Sequence, residues 1–341
     1  MDLHYYNSVF PKERNIWLKE VSRTFYLSIK ALPKDLHIYV GHSYLICRLL
    51  DTLEDAYDIT VETKIKALDK AISCITSVGN FDKNDDIFKH LAKTSDIKPY
   101  EKILLENAFK IFECIDTFPE KVQIIIRKWT IEMAEGMKKY SFGSDKNKVQ
   151  LASKDELEDY TYYVAGTVGE LLSQLFTLEH FKVPDSNKEI MFKNSIAFGK
   201  ALQYVNIIKD SREDFEEDRC FIPADLLEER SISLEEFFKN DRKEDIKAIY
   251  IELIERAEKY LDDAIEYINI VPKRLWKIRL FCIWPVAMAY ATLNGVKKDL
   301  DEFIDTNKTY KISRKTVKSI VKKGYFASFS NWYFKRLLKS L

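Results

Sequence analysis

The chain has 341 residues, and its 54 lysines and arginines balance 54 aspartates and glutamates to a formal net charge of zero. That balance excludes a general nucleic-acid binder, which would carry a basic surplus. A hydrophobic content of 46% supplies one large core, and only 9 glycines and 8 prolines interrupt it, which points to an all-helical protein. Five scattered cysteines (Cys47, Cys74, Cys114, Cys220, Cys282) lack any C-x-x-C spacing. They read as reduced thiols of a cytoplasmic protein. The N-terminus has no signal-peptide pattern, and no apolar run has the length of a membrane span.

In chain order, Pro11 to Leu32 reads as a helix stopped by Pro33. It carries Ser22, Arg23 and Phe25. Arg23 alone would read as an ordinary surface arginine. Lys34 to Tyr57 is the next helix, and it ends in the run Y-L-I-C-R-L-L-D-T-L-E-D-A-Y-D at 44–58. Asp51 and Asp55 are four apart and share a helix face, with Arg48 a turn earlier. Asp58 falls near that face, although a solvated helix end is its simpler reading. A carboxylate-bearing face on an apolar helix calls for a positive partner. A hard divalent cation such as Mg2+ suits it, because Mg2+ takes oxygen ligands and shares them with phosphate. D-x-x-x-D itself is cheap: it occurs at 51/55, 82/86, 155/159, 210/214, 214/218, 241/245 and 301/305. Only 51/55 and 210/214 end long apolar helical runs.

Thr60 to Ser77 is amphipathic, 77–86 is a polar loop, and Tyr100 to Thr117 and Pro119 to Tyr140 are two further helices, followed by the loop S-F-G-S-D-K-N-K. In Leu151 to His180, Ser153 and Glu156 form a capping-box pattern. Ala165, Gly169 and Ser173 make a small-residue stripe, open to two readings: close helix packing or room for a ligand. The hydroxyls of Tyr160, Tyr162 and Tyr163 each need a partner if buried. Lys188 to Glu217 places Gln203, Asn206, Asp210 and Asp214 on one face, with Lys209, Arg212 and Arg219 beside the acids. Gln203 and Asn206 stand among apolar residues, so burial and hydrogen bonding are expected for both. Pro223 closes this segment.

Leu234 to Ile268 reads as amphipathic and mostly surface. Lys273 to Leu293 is a nearly continuous apolar run, a core helix kinked or split at Pro285. From Lys308 to Leu341 there are ten lysines and arginines, no acid, and a cluster of aromatics. Two readings stay open there: contact with an anionic membrane surface, or a packed helix with solvated lysines. The division expected is a catalytic all-α domain over 12–295 and a basic, aromatic segment over 296–341 packed on it.

Two apolar helices bearing aspartate pairs could hold Mg2+ between them above an apolar cavity. Such a site suits a diphosphate of a greasy alcohol, whose carbon–oxygen bond ionises as metal and cations neutralise the leaving group. Apolar walls would keep water from the carbocation.

With D-T-L-E-D at 51–55, Y-T-Y-Y-V-A-G-T-V-G at 160–169 and Q-Y-V-N-I-I-K-D-S-R-E-D at 203–214 in this order, the chain resembles the squalene/phytoene synthase family, the head-to-head isoprenoid synthases, and within it most of all the squalene synthases. The resemblance implies a single-domain all-α isoprenoid synthase bundle with a central apolar cavity. It implies that Asp51, Asp55, Asp210 and Asp214 hold Mg2+ (with Mn2+ as a substitute) and substrate diphosphate, and that Tyr160 manages the proton lost in the first step. Arg23, Phe25, Tyr44, Arg48, Val164, Gly166, Gln203 and Asn206 match positions around the substrate. Phe281 and Pro285 lie in a segment similar to the family's N-F-C-x-x-P pocket motif, with Leu280 in place of its Asn.

The implied substrates are farnesyl diphosphate and the presqualene diphosphate formed from it. Squalene synthases then quench the last cation with hydride from NADPH, whereas phytoene and dehydrosqualene synthases lose a proton; an enzyme stopping at presqualene diphosphate is a further alternative. T-Y-K-I-S-R-K at 309–315 resembles the K-I-R-K-G segment of squalene synthases, which implies NADPH contacts from Lys311 and Arg314, joined by Ser22, Arg23 and Lys209. Ser313 interrupts that motif, its glycine is absent, and Lys209 stands where squalene synthases commonly carry Arg. A terpene cyclase is disfavoured, since 51–55 is not D-D-x-x-D and Asn206–Asp210–Asp214 lacks the Ser/Thr of a cyclase triad. A non-catalytic scaffold would not need both acid pairs. Oligomeric state is left open by the sequence.

Overall fold

The computed structural model describes residues 10–22, 25–56, 58–77, 86–94, 96–141, 149–306 and 309–341, with only the backbone at 149–150. Arg23, most of the 77–86 loop with its Asp82, and the S-F-G-S-D-K-N-K loop beyond its first serine lie outside the described residues, as does Lys308. The fold is all-α. Among the described residues there are eighteen α-helices and one two-stranded parallel pairing, Val149–Gln150 with Arg219–Cys220. No described helix is long and apolar enough to cross a membrane.

The chain divides into two compact units: Met1–Asn147 with Glu170–Leu178, and Lys148–Gly169 with Glu179–Leu341. The first is built around the helix Lys34–Asp55, which buries twelve residues, among them Leu45, Leu49 and Leu53. Glu120–Lys139, Phe10–Val21 and Val61–Thr76 pack against it. Two buried polar groups lock it. His42 is fully buried between the rings of Phe10 and Phe118 and donates from Nε2 to the Ile111 carbonyl at 2.9 Å. Burial, with Arg14 adding to it, pushes the imidazole down to about 3, so it is neutral. Lys64, also fully buried, donates to the Glu54 carbonyl and satisfies an orphan acceptor in the last turn of the acid-tipped helix.

The expected helix from Pro11 to Leu32 is two helices, Phe10–Val21 and Phe25–Ala31. The first helix ends before Ser22, whose carbonyl accepts from the Tyr26 N–H at the start of the second. The expected helix from Tyr100 to Thr117 is likewise divided. Asn107, whose side-chain amide donates back to the Ile103 carbonyl at 2.8 Å, separates Pro99–Glu106 from Ala108–Cys114.

In the second unit Asp185–Glu216 and Lys243–Ile270 pack along their lengths. The segment expected to be mostly surface is therefore half core: Asn240, with φ 63°, ends Leu234–Lys239, and the next helix buries a full face from Ile246 to Ile268. Trp276–Lys298 runs unbroken through a buried Pro285, so the chain is not split there. Arg279, fully buried, donates to the carbonyls of Val271 and Ser328 at 2.9 and 2.8 Å and to Asn331 Oδ1 at 2.7 Å. It thereby ties the C-terminal helices Arg314–Ala327 and Asn331–Leu338 to the core helix.

Candidate active site

The acid-tipped end of Lys34–Asp55 carries the first set of residues. Phe25 and Tyr44 meet with ring centroids 6.0 Å apart, and Ser22 is buried beside them. Burial pushes the Tyr44 hydroxyl up, partly offset by Ser22 and Arg48. Arg48 pairs with Glu101 and stands 3.9 Å from Asp51. Burial alone would lower the guanidinium, but the Asp51 and Glu101 carboxylates raise it, so it stays charged. Burial pushes the Asp51 carboxyl up to about 7; Arg48 opposes this, and Asp55 and Glu101 add to it. Asp55 is exposed at the helix end, and Asp58 is exposed beyond it. The structure thus brings Arg48, Asp51 and Asp55 together. It adds Glu101, which sequence reasoning missed; its place in the first turn of Pro99–Glu106 gave no signal of a partner 53 residues earlier.

In the second unit the face of Asp185–Glu216 bearing Gln203, Asn206, Asp210 and Asp214 exists, but it is not buried. Asn206 is exposed and Gln203 only half-buried, whereas Tyr204, Val205, Ile207 and Ile208 fill the core side. The expectation of two buried amides is therefore corrected: apolar neighbours in sequence lie on the opposite side of a 3.6-residue period. Asp210 pairs with Lys209, and Asp214 accepts from Arg219 at 3.3 Å. Arg219 is held by the short strand that pairs with Val149–Gln150. The 309–315 segment lies along this same helix end: the Tyr310 N–H donates to the Lys209 carbonyl at 3.3 Å, and Thr309 donates to Glu213 at 2.7 Å. Lys311 and Arg314 are exposed beside it. Lys209 and the K-I-S-R segment, far apart in sequence, are thereby neighbours.

Tyr160 is buried in the last turn of Lys154–Thr161 and stacks on Phe221, centroids 4.8 Å apart. The capping pattern is half realised: Ser153 accepts from the Glu156 N–H, but the Glu156 carboxylate accepts from the Ala152 N–H at 2.7 Å and not from that of Ser153. Immediately after it, Tyr162–Gly166 is a π-helical turn holding Val164 and Gly166. Such bulges concentrate at functional sites. The small-residue stripe resolves as packing at Gly169: a Cβ there would stand 1.9 Å from the Ser195 carbonyl oxygen. Gly199, missed by sequence reasoning, is its counterpart, since its Cβ would stand 2.0 Å from the Ala165 oxygen. Phe281 and Pro285 are buried one turn apart on Trp276–Lys298.

Glu158, one turn before the π-helical turn, was also missed. Its carboxylate accepts from Lys200, Tyr204 and Arg256 at 2.7, 2.7 and 2.8 Å, and from Tyr260. Burial alone would raise it, but these four donors hold it at about 2. The pairs Lys200/Tyr204 and Arg256/Tyr260, each spaced by four, were the available signal.

Among the described residues no three His, Cys, Asp or Glu side chains converge to hold a metal by themselves. The carboxylate pairs nevertheless fit Mg2+. They offer hard oxygen donors, Asp51 is under-neutralised by Arg48, and Mg2+ bound by one or two carboxylates completes its shell with substrate phosphates and water.

The sequence matches the squalene/phytoene synthase family over residues 18–316. Squalene synthase of Rattus norvegicus is 32% identical over 277 residues, covering 81% of this chain and 61% of the rat protein. Squalene synthase of Schizosaccharomyces pombe is 30% identical over 291 residues, covering 84% of this chain and 59% of the yeast protein. The chain thus spans less than two thirds of the length of these curated relatives. A solved complex of TcSQS with the ligand BPH1237 shares the fold, with a TM-score of 0.80 at 23% identity over 96% of this chain and 89% of that chain.

Proposed function

Because this chain belongs to the squalene/phytoene synthase family, we propose that it is a transferase that condenses two farnesyl diphosphates head to head, through presqualene diphosphate, to squalene. The observation that carries this reading is the under-neutralised acid end of Lys34–Asp55. There Asp51 is half-buried 3.9 Å from Arg48, with Asp55 a turn later, and its carboxyl, pushed up to about 7, gains its charge most readily when a metal–diphosphate complex arrives.

In the first half-reaction the carbon–oxygen bond of one farnesyl diphosphate breaks. Asp51 and Asp55 would hold metal and diphosphate, as would Asp210 and Asp214, with Arg48 and Arg23 supplying positive charge for the phosphate. Mg2+, when bound, supplies the charge neutralisation that lets diphosphate leave. The double bond of the second substrate attacks the allylic cation. Loss of a proton then closes the cyclopropane, and Tyr160 receives that proton and passes it on. The substrate contacts that the resemblance implies are Phe25 and Tyr44 in the first unit and Val164, Gly166, Gln203, Asn206, Phe281 and Pro285 in the second. In the second half-reaction presqualene diphosphate loses its diphosphate and rearranges.

Lys209, Lys311 and Arg314 would hold NADPH, a role that the resemblance also gives to Ser22 and Arg23, and NADPH would supply the hydride that quenches the final cation. Support for the nucleotide site comes from the bond between Tyr310 and the Lys209 carbonyl, which sets the basic 309–315 segment beside Lys209. An apolar product needs a lipid phase to leave into, which gives the C-terminal segment its place as a peripheral membrane contact.

A second reading, a phytoene- or dehydrosqualene-type synthase or one that releases presqualene diphosphate, is favoured by Ser313 interrupting the basic run. Incubation of purified protein with farnesyl diphosphate and Mg2+, with and without NADPH, separates the two. Squalene formed only with NADPH supports the reductive reading. A product unchanged by NADPH supports the second, and absence of any condensed product refutes both.

A further inference from the structure

The C-terminal helices present an aromatic surface that the chemistry above does not use. On Arg314–Ala327, Lys315, Lys318 and Lys322 are exposed at helical spacing, and the same stripe continues into the exposed rings of Tyr325, Phe326 and Phe329. The opposite side is buried: Ile320, Gly324 and Ala327 face the core helix, and a Cβ on Gly324 would meet the Trp284 ring at 2.7 Å. Asn331–Leu338 repeats the pattern. Phe334, Leu337 and Leu338 are buried, while Trp332 (61% exposed), Tyr333, Lys335 and Arg336 face outward, with Lys339 just beyond.

The surface extends beyond the C-terminal segment. Trp276 stacks on Phe329 at 5.2 Å and meets Tyr325 edge-on at 5.6 Å, and exposed Lys273 and Lys277 flank it. Phe326 and Tyr333 line an open groove of about 410 Å³ with Lys323, Arg336, Leu337 and Ser340, which joins the two helices' aromatics into one face. Arg336 lies over the Trp332 ring, 5.4 Å from its centroid. No acid occurs in 309–341 or in 271–281.

We infer that this composite face, Trp276 with Tyr325, Phe326, Phe329, Trp332 and Tyr333 inside a rim of lysines and arginines, docks the protein on anionic lipid bilayers. Charge complementarity selects this occupant. The rim has one sign only, as an anionic leaflet requires. Tyr and Trp favour the headgroup level, where an apolar ring and a polar tip are both accommodated. An exposed aromatic patch of this kind on a neutral chain marks a contact surface rather than a solvated helix. The inference specifies the membrane contact of the proposed function but does not depend on the prenyl chemistry, because binding is read without turnover.

The test is flotation of the purified full chain with phosphatidylcholine vesicles, with and without phosphatidylglycerol. Binding is expected on the anionic vesicles at low salt, weaker binding at high salt, and little on neutral ones. Phe326→Ser with Trp332→Ser should abolish flotation at low salt, with circular dichroism unchanged because both side chains are exposed. Lys322→Gln and Lys335→Gln should each lower the partition about fivefold, the equivalent of about 1 kcal/mol. In the unaltered protein, tryptophan emission should shift to the blue on anionic vesicles and be quenched by brominated lipid, which reports ring insertion whether or not a variant folds. Equal partition on neutral and anionic vesicles, or no quenching, would overturn the inference. So would self-association of the unaltered chain that the aromatic double variant abolishes without any lipid binding, since the face would then fit a second copy.

Discussion

Glu158 and Asp51 are both carboxylates on helices beside cations, and they end in opposite states. Four donors from two other helices surround Glu158 and hold it at about 2. Asp51 has Arg48 at 3.9 Å, but Arg48 is pulled away by Glu101, and burial leaves the Asp51 carboxyl at about 7. A carboxylate that the fold has saturated has nothing left to bind and works as a clamp. One that the fold leaves under-neutralised is prepared for a cation that arrives with substrate. The difference lies in donor count, not in residue type or in the presence of a nearby arginine.

The largest expected effect falls on the under-neutralised side. Asp51→Asn or Asp210→Asn should lower turnover by roughly 100- to 1000-fold, the scale for losing one electrostatic contact to a leaving group. The circular-dichroism spectrum and melting temperature should stay near those of the unaltered chain. An unfolded Asp51→Asn would erase the contrast, because Asp51 would then be structural as well.

Glu158→Gln should behave in the reverse way. Leaving Lys200 and Arg256 without their acceptor should cost about 2–3 kcal/mol in chemical denaturation, while the folded fraction keeps its metal-dependent binding. Gly199→Ala tests the contact beneath the clamp, where a Cβ would stand 2.0 Å from the Ala165 oxygen. It should destabilise by about 1–3 kcal/mol through forced separation of the helices.

The pH dependence of stability sharpens the same point at smaller amplitude. His42 titrates at 6.5 unfolded and about 3 folded, so the unfolded chain alone takes up its proton between those values. His42 should therefore contribute a loss of stability with acid across that window, by up to about 1.4 kcal/mol per pH unit for one proton, against an opposite contribution from Asp51, whose carboxyl takes up its proton first in the folded chain between about 7 and 3.8. Glu158, at 4.5 unfolded and about 2 folded, adds a second loss between pH 4.5 and 2. Denaturation midpoints measured across pH in the Asp51→Asn background should show both slopes, and adding Glu158→Gln should remove only the lower one.

The helical class and the two acid-tipped helices were legible in the sequence, because period and apolar content are local properties. So was the packing alternative for the Gly169 stripe. What escaped was pairing at a distance. Glu101 reaching Arg48, Gly199 meeting Ala165 and the four donors on Glu158 each join segments whose proximity no local pattern encodes. The misreading of Asn206 has the same origin: neighbours along the chain were taken for neighbours in space. The C-terminal segment shows the reverse gain, since its basic and aromatic composition was legible while the contribution of Trp276 was not.

Titration calorimetry of inorganic diphosphate with Mg2+ into the unaltered protein, Asp51→Asn and Glu158→Gln tests the contrast most directly. The expected result is metal-dependent diphosphate binding that Asp51→Asn loses by more than tenfold and Glu158→Gln retains. Binding that survives Asp51→Asn, or that disappears in a folded Glu158→Gln, would contradict it.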